Sequence, residues 1–187
     1  MARRRILGIT GAPGAGKTTY AERLVAESAV PAVHLPMDGF HLADVSLGRL
    51  GLLDRKGAPE TFDAWGYAAL LRRLRDAPST VWAPGFDRDL EQPLAGAVAV
   101  EPQVELVVTE GNYLLLDRPE WRAVRSALDE VWFLDVADEV RRPRLVARHV
   151  RFGKSPAEAE AWVARVDDAN AALVVATRAS ADRIVAG

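Results

Sequence analysis

Ile6-Leu7-Gly8-Ile9-Thr10, followed at once by Gly11-Ala12-Pro13-Gly14-Ala15-Gly16-Lys17-Thr18-Thr19, is the stretch that decides the fold of this chain. The first five residues are an apolar run of strand length. The next eight fit Gly-x-x-x-x-Gly-Lys-Ser/Thr, the phosphate-binding loop, in the context of strand, glycine-rich turn and helix. The spacing has a chemical reason. Glycines let successive backbone N–H groups curl around a polyphosphate with no Cβ in the way. The helix that follows points its positive end at the same anion. Lys17 adds a mobile cation for the β- and γ-phosphates, and the Thr18 hydroxyl is placed to ligate Mg²⁺. The expectation is a chain that binds a nucleoside triphosphate.

Bulk properties bound the rest. At 187 residues the length suits a single domain with a continuous core. A net charge of −2 provides no field that would draw the chain to nucleic acid or an anionic membrane. The absence of cysteine excludes disulfides, thiolate catalysis and sulfur-ligated zinc. His34, His41 and His149 are too scattered for a metal cage. Arg3-Arg4-Arg5 reads as solvated charge before the first strand rather than the start of a signal peptide, since the glycine-rich loop breaks the apolar stretch behind it. No apolar run has the length of a membrane span. A cytoplasmic enzyme that acts on a small molecule is expected; oligomeric state stays open.

Outward from the loop, strands alternate with helices, which predicts a parallel sheet of about five strands flanked by helices on both faces. Strands are expected at 4–10, 32–36, 80–83, 104–109, 131–136 and 183–185, with 97–100 pairing at an edge. Helices are expected at 17–28, from the cap Asp63 through a Tyr67, Leu70, Leu71, Leu74 stripe, at 119–128, and at 138–151. A final helix opens on the capping box Ser155-Pro156-Ala157-Glu158 and runs to about Arg178. Residues 37–62 read as an active-site loop with a helical turn near 45–51. Trp65 and Trp82 are expected in the core.

Ligands of an open parallel sheet bind beyond the carboxyl ends of its strands. Asp38 follows the second strand and Glu110 the 104–109 strand, so both gather at the loop's edge. A carboxylate there either holds Mg²⁺ or takes a proton from an attacking hydroxyl, and phosphoryl transfer needs both. Arg141, Arg144 and Arg148 recur at i, i+3, i+7 on one helix side, as a lid over a triphosphate would require. The segment Arg55-Lys56-Gly57-Ala58-Pro59-Glu60-Thr61-Phe62-Asp63 is too rich in charge for a plain connector and is expected to wall an acceptor site.

These pieces, with Met37-Asp38-Gly39-Phe40-His41 and Glu110-Gly111-Asn112-Tyr113-Leu114-Leu115, resemble the P-loop kinase group that contains uridine kinase, phosphoribulokinase and type I pantothenate kinase. The resemblance implies a mononucleotide kinase-like core with an arginine-rich lid at 138–155, and ATP as donor on Gly11 to Thr19. It implies Asp38 as general base, Lys17 on the phosphates, Thr18 and Glu110 at Mg²⁺, Arg144 and Arg148 on the transferred phosphate, and Thr177 and Arg178 beside the adenine. Uridine kinases show an Asp-Asp-Phe-Tyr-like stretch at 37–41, and pantothenate kinases are longer at the amino end, so the likeness runs to short bacterial nucleoside/nucleotide kinase-like proteins. His41, Arg55, Lys56, Arg88 and Tyr113 are the expected acceptor contacts. The expected activity is phosphoryl transfer to a hydroxyl of a sugar, nucleoside or pantothenate-like compound. The alternatives are a nucleoside monophosphate kinase and a nucleotide-dependent switch; the guanine-reading Asn-Lys-x-Asp sequence of switches is absent.

Overall fold

The computed structural model describes residues 3–187. Its centre is β1 (Arg5–Thr10), buried along all but its first residue, as a strand covered on both faces must be. It pairs in parallel with β5 (Leu106–Glu110) on one side and β6 (Glu130–Asp135) on the other. β2 (Ala32–Pro36) pairs with β5, and β7 (Arg183–Ala186) with β6, giving the order β2-β5-β1-β6-β7 in one five-stranded parallel sheet.

Helices cover both faces. On one, α1 (Lys17–Ala26) sets Ala21 against Leu7, Ile9, Val108 and Leu134. On the other, α3 (Ala64–Leu74) and α4 (Pro119–Arg125) pack Tyr67, Leu71, Leu74, Trp121 and Val124 against Ile6, Leu35 and Phe133. Full burial of such side chains stabilises by about 1.5–3 kcal/mol each before chain entropy is subtracted. The α3 start follows the predicted cap, Asp63 accepting from the Gly66 N–H at 2.8 Å. The remaining helices are α2 (Asp44–Leu50), α5 (Asp138–Arg151), α6 (Pro156–Trp162) and α7 (Asp168–Val175). No helix among the described residues is long and apolar enough to cross a membrane.

Four expectations need correction. β3 (Val81–Asp87) and β4 (Gln92–Val100) form a separate antiparallel hairpin instead of joining the parallel sheet, and both run longer than their apolar cores suggest. Trp65 and Trp82 are 58% and 62% exposed, because the faces they sit on have no element packed over them. The last helix is broken: a π turn, Val163–Asp167, separates α6 from α7, and the helical run ends at Val175. Arg4 is not solvated. Its guanidinium is buried and donates to five carbonyl oxygens, those of Val104, Leu74, Ala77, Glu101 and Pro102, at 2.7–3.2 Å. One cation thus ties the start of β1 to the ends of α3 and β4. Met1 and Ala2 lie outside the described residues.

Candidate active site

Beyond the carboxyl ends of the strands lies a cavity of about 650 Å³. The phosphate-binding loop forms its floor with Pro13, Gly14, Gly16, Lys17, Thr18 and Thr19; Gly11, Ala12 and Ala15 belong to the loop but stand behind that surface. Gly14 has φ +80°, and a Cβ there would lie 2.7 Å from the Arg141 carbonyl oxygen and 2.8 Å from Leu145 Cγ. The loop therefore reaches the lid helix α5 only through a residue without a side chain. Gly16, left-handed at φ 86°, turns the chain into α1.

Lys17 is 8% exposed, and its ammonium donates to the Gly11 and Ala12 carbonyl oxygens at 2.8 and 3.1 Å. Burial pulls its pKa down to about 8, against the opposing pull of Glu110 and Asp38. The Thr18 hydroxyl donates to Glu110 Oε1 at 3.2 Å, and His34 Nε2, otherwise unpartnered, lies 3.6 Å from the same oxygen. Thr18 and Glu110 together offer a hard oxygen donor set of the kind Mg²⁺ takes when phosphates and water complete its shell.

Asp38 sits on a short 3₁₀ turn, Met37–Phe40, directly after β2. Arg88, from the β3–β4 connection, is ion-paired to its Oδ2, and His41 Nε2 is 3.9 Å from its Oδ1. Burial opposes ionisation, but Arg88, then His41, Arg148 and Lys17, outweigh it and hold the Asp38 carboxyl below the usual carboxylate range. His41 is clasped by Phe62, ring centroids 3.9 Å apart, and by Phe86 at 5.1 Å. Burial pushes its pKa down to about 4, so the imidazole is neutral at pH 7. Lys56 donates to Asp44 Oδ1 at 2.7 Å and to the Glu91 carbonyl oxygen, closing that end of the cavity.

Of the lid arginines, Arg144 and Arg148 line the cavity. Arg141 does not. It is buried, bonded to Asp138 Oδ1 at 2.6 Å and Asp168 Oδ1 at 3.2 Å, and fastens α5 in place. Three expected contacts also fall away from the cavity wall. Arg55 pairs with Glu60 at the surface. Tyr113 packs against Trp121 and Phe62 in the core, its hydroxyl donating to the Gly57 carbonyl oxygen. Arg178 is bonded to Asp135 Oδ2 at 2.8 and 3.0 Å beyond α7. In each, a nearer acceptor captures the donor.

Sequence reasoning missed the far wall. Trp162 and Asp167 both line the cavity, although five residues of α-helix would set them about 140° apart. The π turn between them, with the Asp168 N–H bonded to the Val163 carbonyl oxygen, winds more slowly and brings both to one side. Asp167 Oδ2 accepts from His149 Nε2 at 2.8 Å, linking this wall to the lid helix. A π turn leaves no signature in apolar spacing, so nothing in the sequence pattern pointed there.

Comparison with known proteins agrees with this architecture. The model of the family described as "Phosphoribulokinase / Uridine kinase family" matches residues 6–186. An ATP-dependent kinase-like protein of Aspergillus versicolor is 37% identical over 161 residues, spanning 81% of this chain and 94% of that protein. A protein of Silicibacter sp. TM1040, assigned as a fructose transport system kinase, has a crystal structure that superposes with a TM-score of 0.91 at 39% identity, over 99% of this chain and 91% of that one. D-glycerate 3-kinase from Cryptococcus neoformans shares the fold alone, with a TM-score of 0.69 at 14% identity, over 100% of this chain and 87% of that one. The five-stranded sheet, the phosphate-binding loop at its edge and the matches across nearly the whole length lead to one conclusion: the chain belongs to the phosphoribulokinase/uridine kinase family of P-loop kinases.

Proposed function

We propose that this chain transfers the γ-phosphoryl group of ATP to a hydroxyl of a small molecule of the sugar, nucleoside or pantothenate kind. The observation that carries the proposal is the sharing of one cavity by a phosphate-binding loop and an ionised aspartate, with Lys17, Thr18, Glu110, Arg88 and His41 lining the same cavity as Asp38. The Asp38 carboxylate takes the proton of the acceptor O–H. The acceptor oxygen forms its bond to γ-phosphorus as the bond to the β,γ-bridging oxygen breaks, and ADP leaves with that oxygen. Lys17, Arg144 and Arg148 offset charge on the migrating group. Thr18 and Glu110 would hold Mg²⁺, which would supply charge neutralisation of the phosphates. A monophosphate acceptor needs no such base, since its oxygen is already deprotonated, so Asp38 favours an alcohol. The name of the Silicibacter relative favours a sugar among the alcohols.

The test is ADP release with a panel of sugars, nucleosides and pantothenate, repeated on Asp38→Asn. That variant is expected to keep ATP affinity while transfer falls by about 10²–10⁴. Undiminished transfer in it, or acceptor-independent hydrolysis as the sole activity of the unaltered protein, refutes the proposal.

A further inference from the structure

We infer that His34 is a positioning residue for the divalent cation: its Nε2–H holds one oxygen of Glu110 and leaves the other to the cation. The inference rests on Glu110 being a cation ligand, as proposed above.

A histidine is unexpected where this one stands. His34 lies on β2 opposite Val108 of β5, and Val108 belongs to the apolar cluster of Leu7, Ile9 and Ala21 beneath α1. The His34 Nε2 is buried and has no hydrogen-bond partner among the described residues. Buried polar atoms are nearly always paired, so one without a partner calls for a reason.

The strand register supplies it. Alternate residues share a sheet face, so His34 and Pro36 of β2 stand beside Val108 and Glu110 of β5. His34 and Glu110 are therefore diagonal neighbours on the face that α1 covers, and Thr18 sits in the first turn of that helix. Nε2 lies 3.6 Å from Glu110 Oε1, a few tenths of an ångström beyond hydrogen-bond length. A small turn of either side chain closes that gap.

The distribution of donors over the carboxylate points the same way. Thr18 Oγ1 donates to Oε1 at 3.2 Å, and His34 approaches that same oxygen. No side chain among the described residues donates to Oε2. A carboxylate oxygen accepts two hydrogen bonds, so Thr18 and His34 together saturate Oε1 and fix the plane of the group. Oε2 is left for a hard cation or a water bound to one. With Thr18 as its sole donor the carboxylate could pivot about a single bond. β2 is paired to β5 from Ala32 to Pro36, so the imidazole it carries is a fixed second point. Removing a partner of this kind from behind a ligand costs about tenfold to a hundredfold in metal affinity.

The experiment uses the full chain at a single pH of 8. Mn²⁺ binding in the presence of ADP is read from the electron paramagnetic resonance signal of the free ion. The samples are the unaltered protein, His34→Leu, His34→Gln, Glu110→Gln and the double variant of His34→Leu with Glu110→Gln, with thermal melts reporting that each is folded. His34→Leu should weaken Mn²⁺ binding by roughly tenfold to a hundredfold, while ADP affinity in EDTA stays within about twofold. His34→Gln, whose amide nitrogen reaches about as far as Nε2, should recover much of the loss. On the Glu110→Gln background, His34→Leu should add nothing further. In the unaltered protein with Mg²⁺ and ADP, ¹⁵N NMR of the imidazoles should show His34 as the Nε2–H tautomer, assigned by its loss in His34→Gln and shifted in Glu110→Gln. Mn²⁺ affinity that drops in Glu110→Gln but not in His34→Leu overturns the inference alone. A His34→Leu loss that is the same with or without Glu110 overturns it too, as does an Nδ1–H tautomer. Should Glu110→Gln bind Mn²⁺ as tightly as the unaltered protein, Glu110 is no cation ligand and both proposals about it fall.

Discussion

Titrating His41 should cost the protein stability in mild acid, by an amount the structure fixes. Burial between Phe62 and Phe86 disfavours the imidazolium; Asp38 opposes that effect without overcoming it, and Lys56 and Arg88 reinforce it, so the pKa falls from 6.5 to about 4. Between those values the unfolded chain binds a proton that the folded chain does not, so stability falls as pH falls. Integrated from pH 7.5 to 4.5, the loss from this group is about 2–3 kcal/mol at 1.36 kcal/mol per pKa unit. The carboxyls Asp38, Asp44 and Asp129, all lowered from their ordinary value, titrate below this window. Urea unfolding of the unaltered protein and of His41→Gln at pH 7.5, 6.5, 5.5 and 4.5 isolates the term. The gap between the two should shift by that amount in favour of the variant as pH drops. A gap constant to within about 0.5 kcal/mol over the range would refute the claim that His41 is held neutral by its aromatic clasp.

Three further outcomes are expected. Arg4→Met strips the five carbonyl acceptors of a buried guanidinium and should destabilise by about 3–5 kcal/mol, read by denaturant midpoint, while the folded fraction keeps its nucleotide affinity. Gly14→Ala places a Cβ against the Arg141 carbonyl in a left-handed conformation; it should cost about 1–3 kcal/mol and weaken ATP binding by displacing α5, both measurable by melting with and without nucleotide. Thr109→Val leaves the buried Tyr67 hydroxyl without its partner, for a loss of about 1–3 kcal/mol, whereas in the double variant with Tyr67→Phe much of that loss should be recovered.

The sequence by itself determined what depends on neighbours a few residues apart. β1 and the loop after it, the Asp63 cap of α3, the Ser155–Glu158 capping box and the arginines of α5 were legible because apolar period, glycine spacing and capping chemistry act within a turn or a strand. The placing of Asp38 and Glu110 at one edge followed from the rule for parallel sheets, and both line the cavity beside Lys17. Tertiary structure decided the partnerships between distant residues. Arg4 finds its carbonyls 70 to 100 residues away, and Arg88 reaches Asp38 across 50. Arg55, Tyr113 and Arg178 are withdrawn from the cavity by Glu60, the Gly57 carbonyl and Asp135, and a π turn swings Asp167 into it. Such choices turn on which donor meets which acceptor once the layers have packed, since a buried charge goes to whatever partner the fold brings within reach.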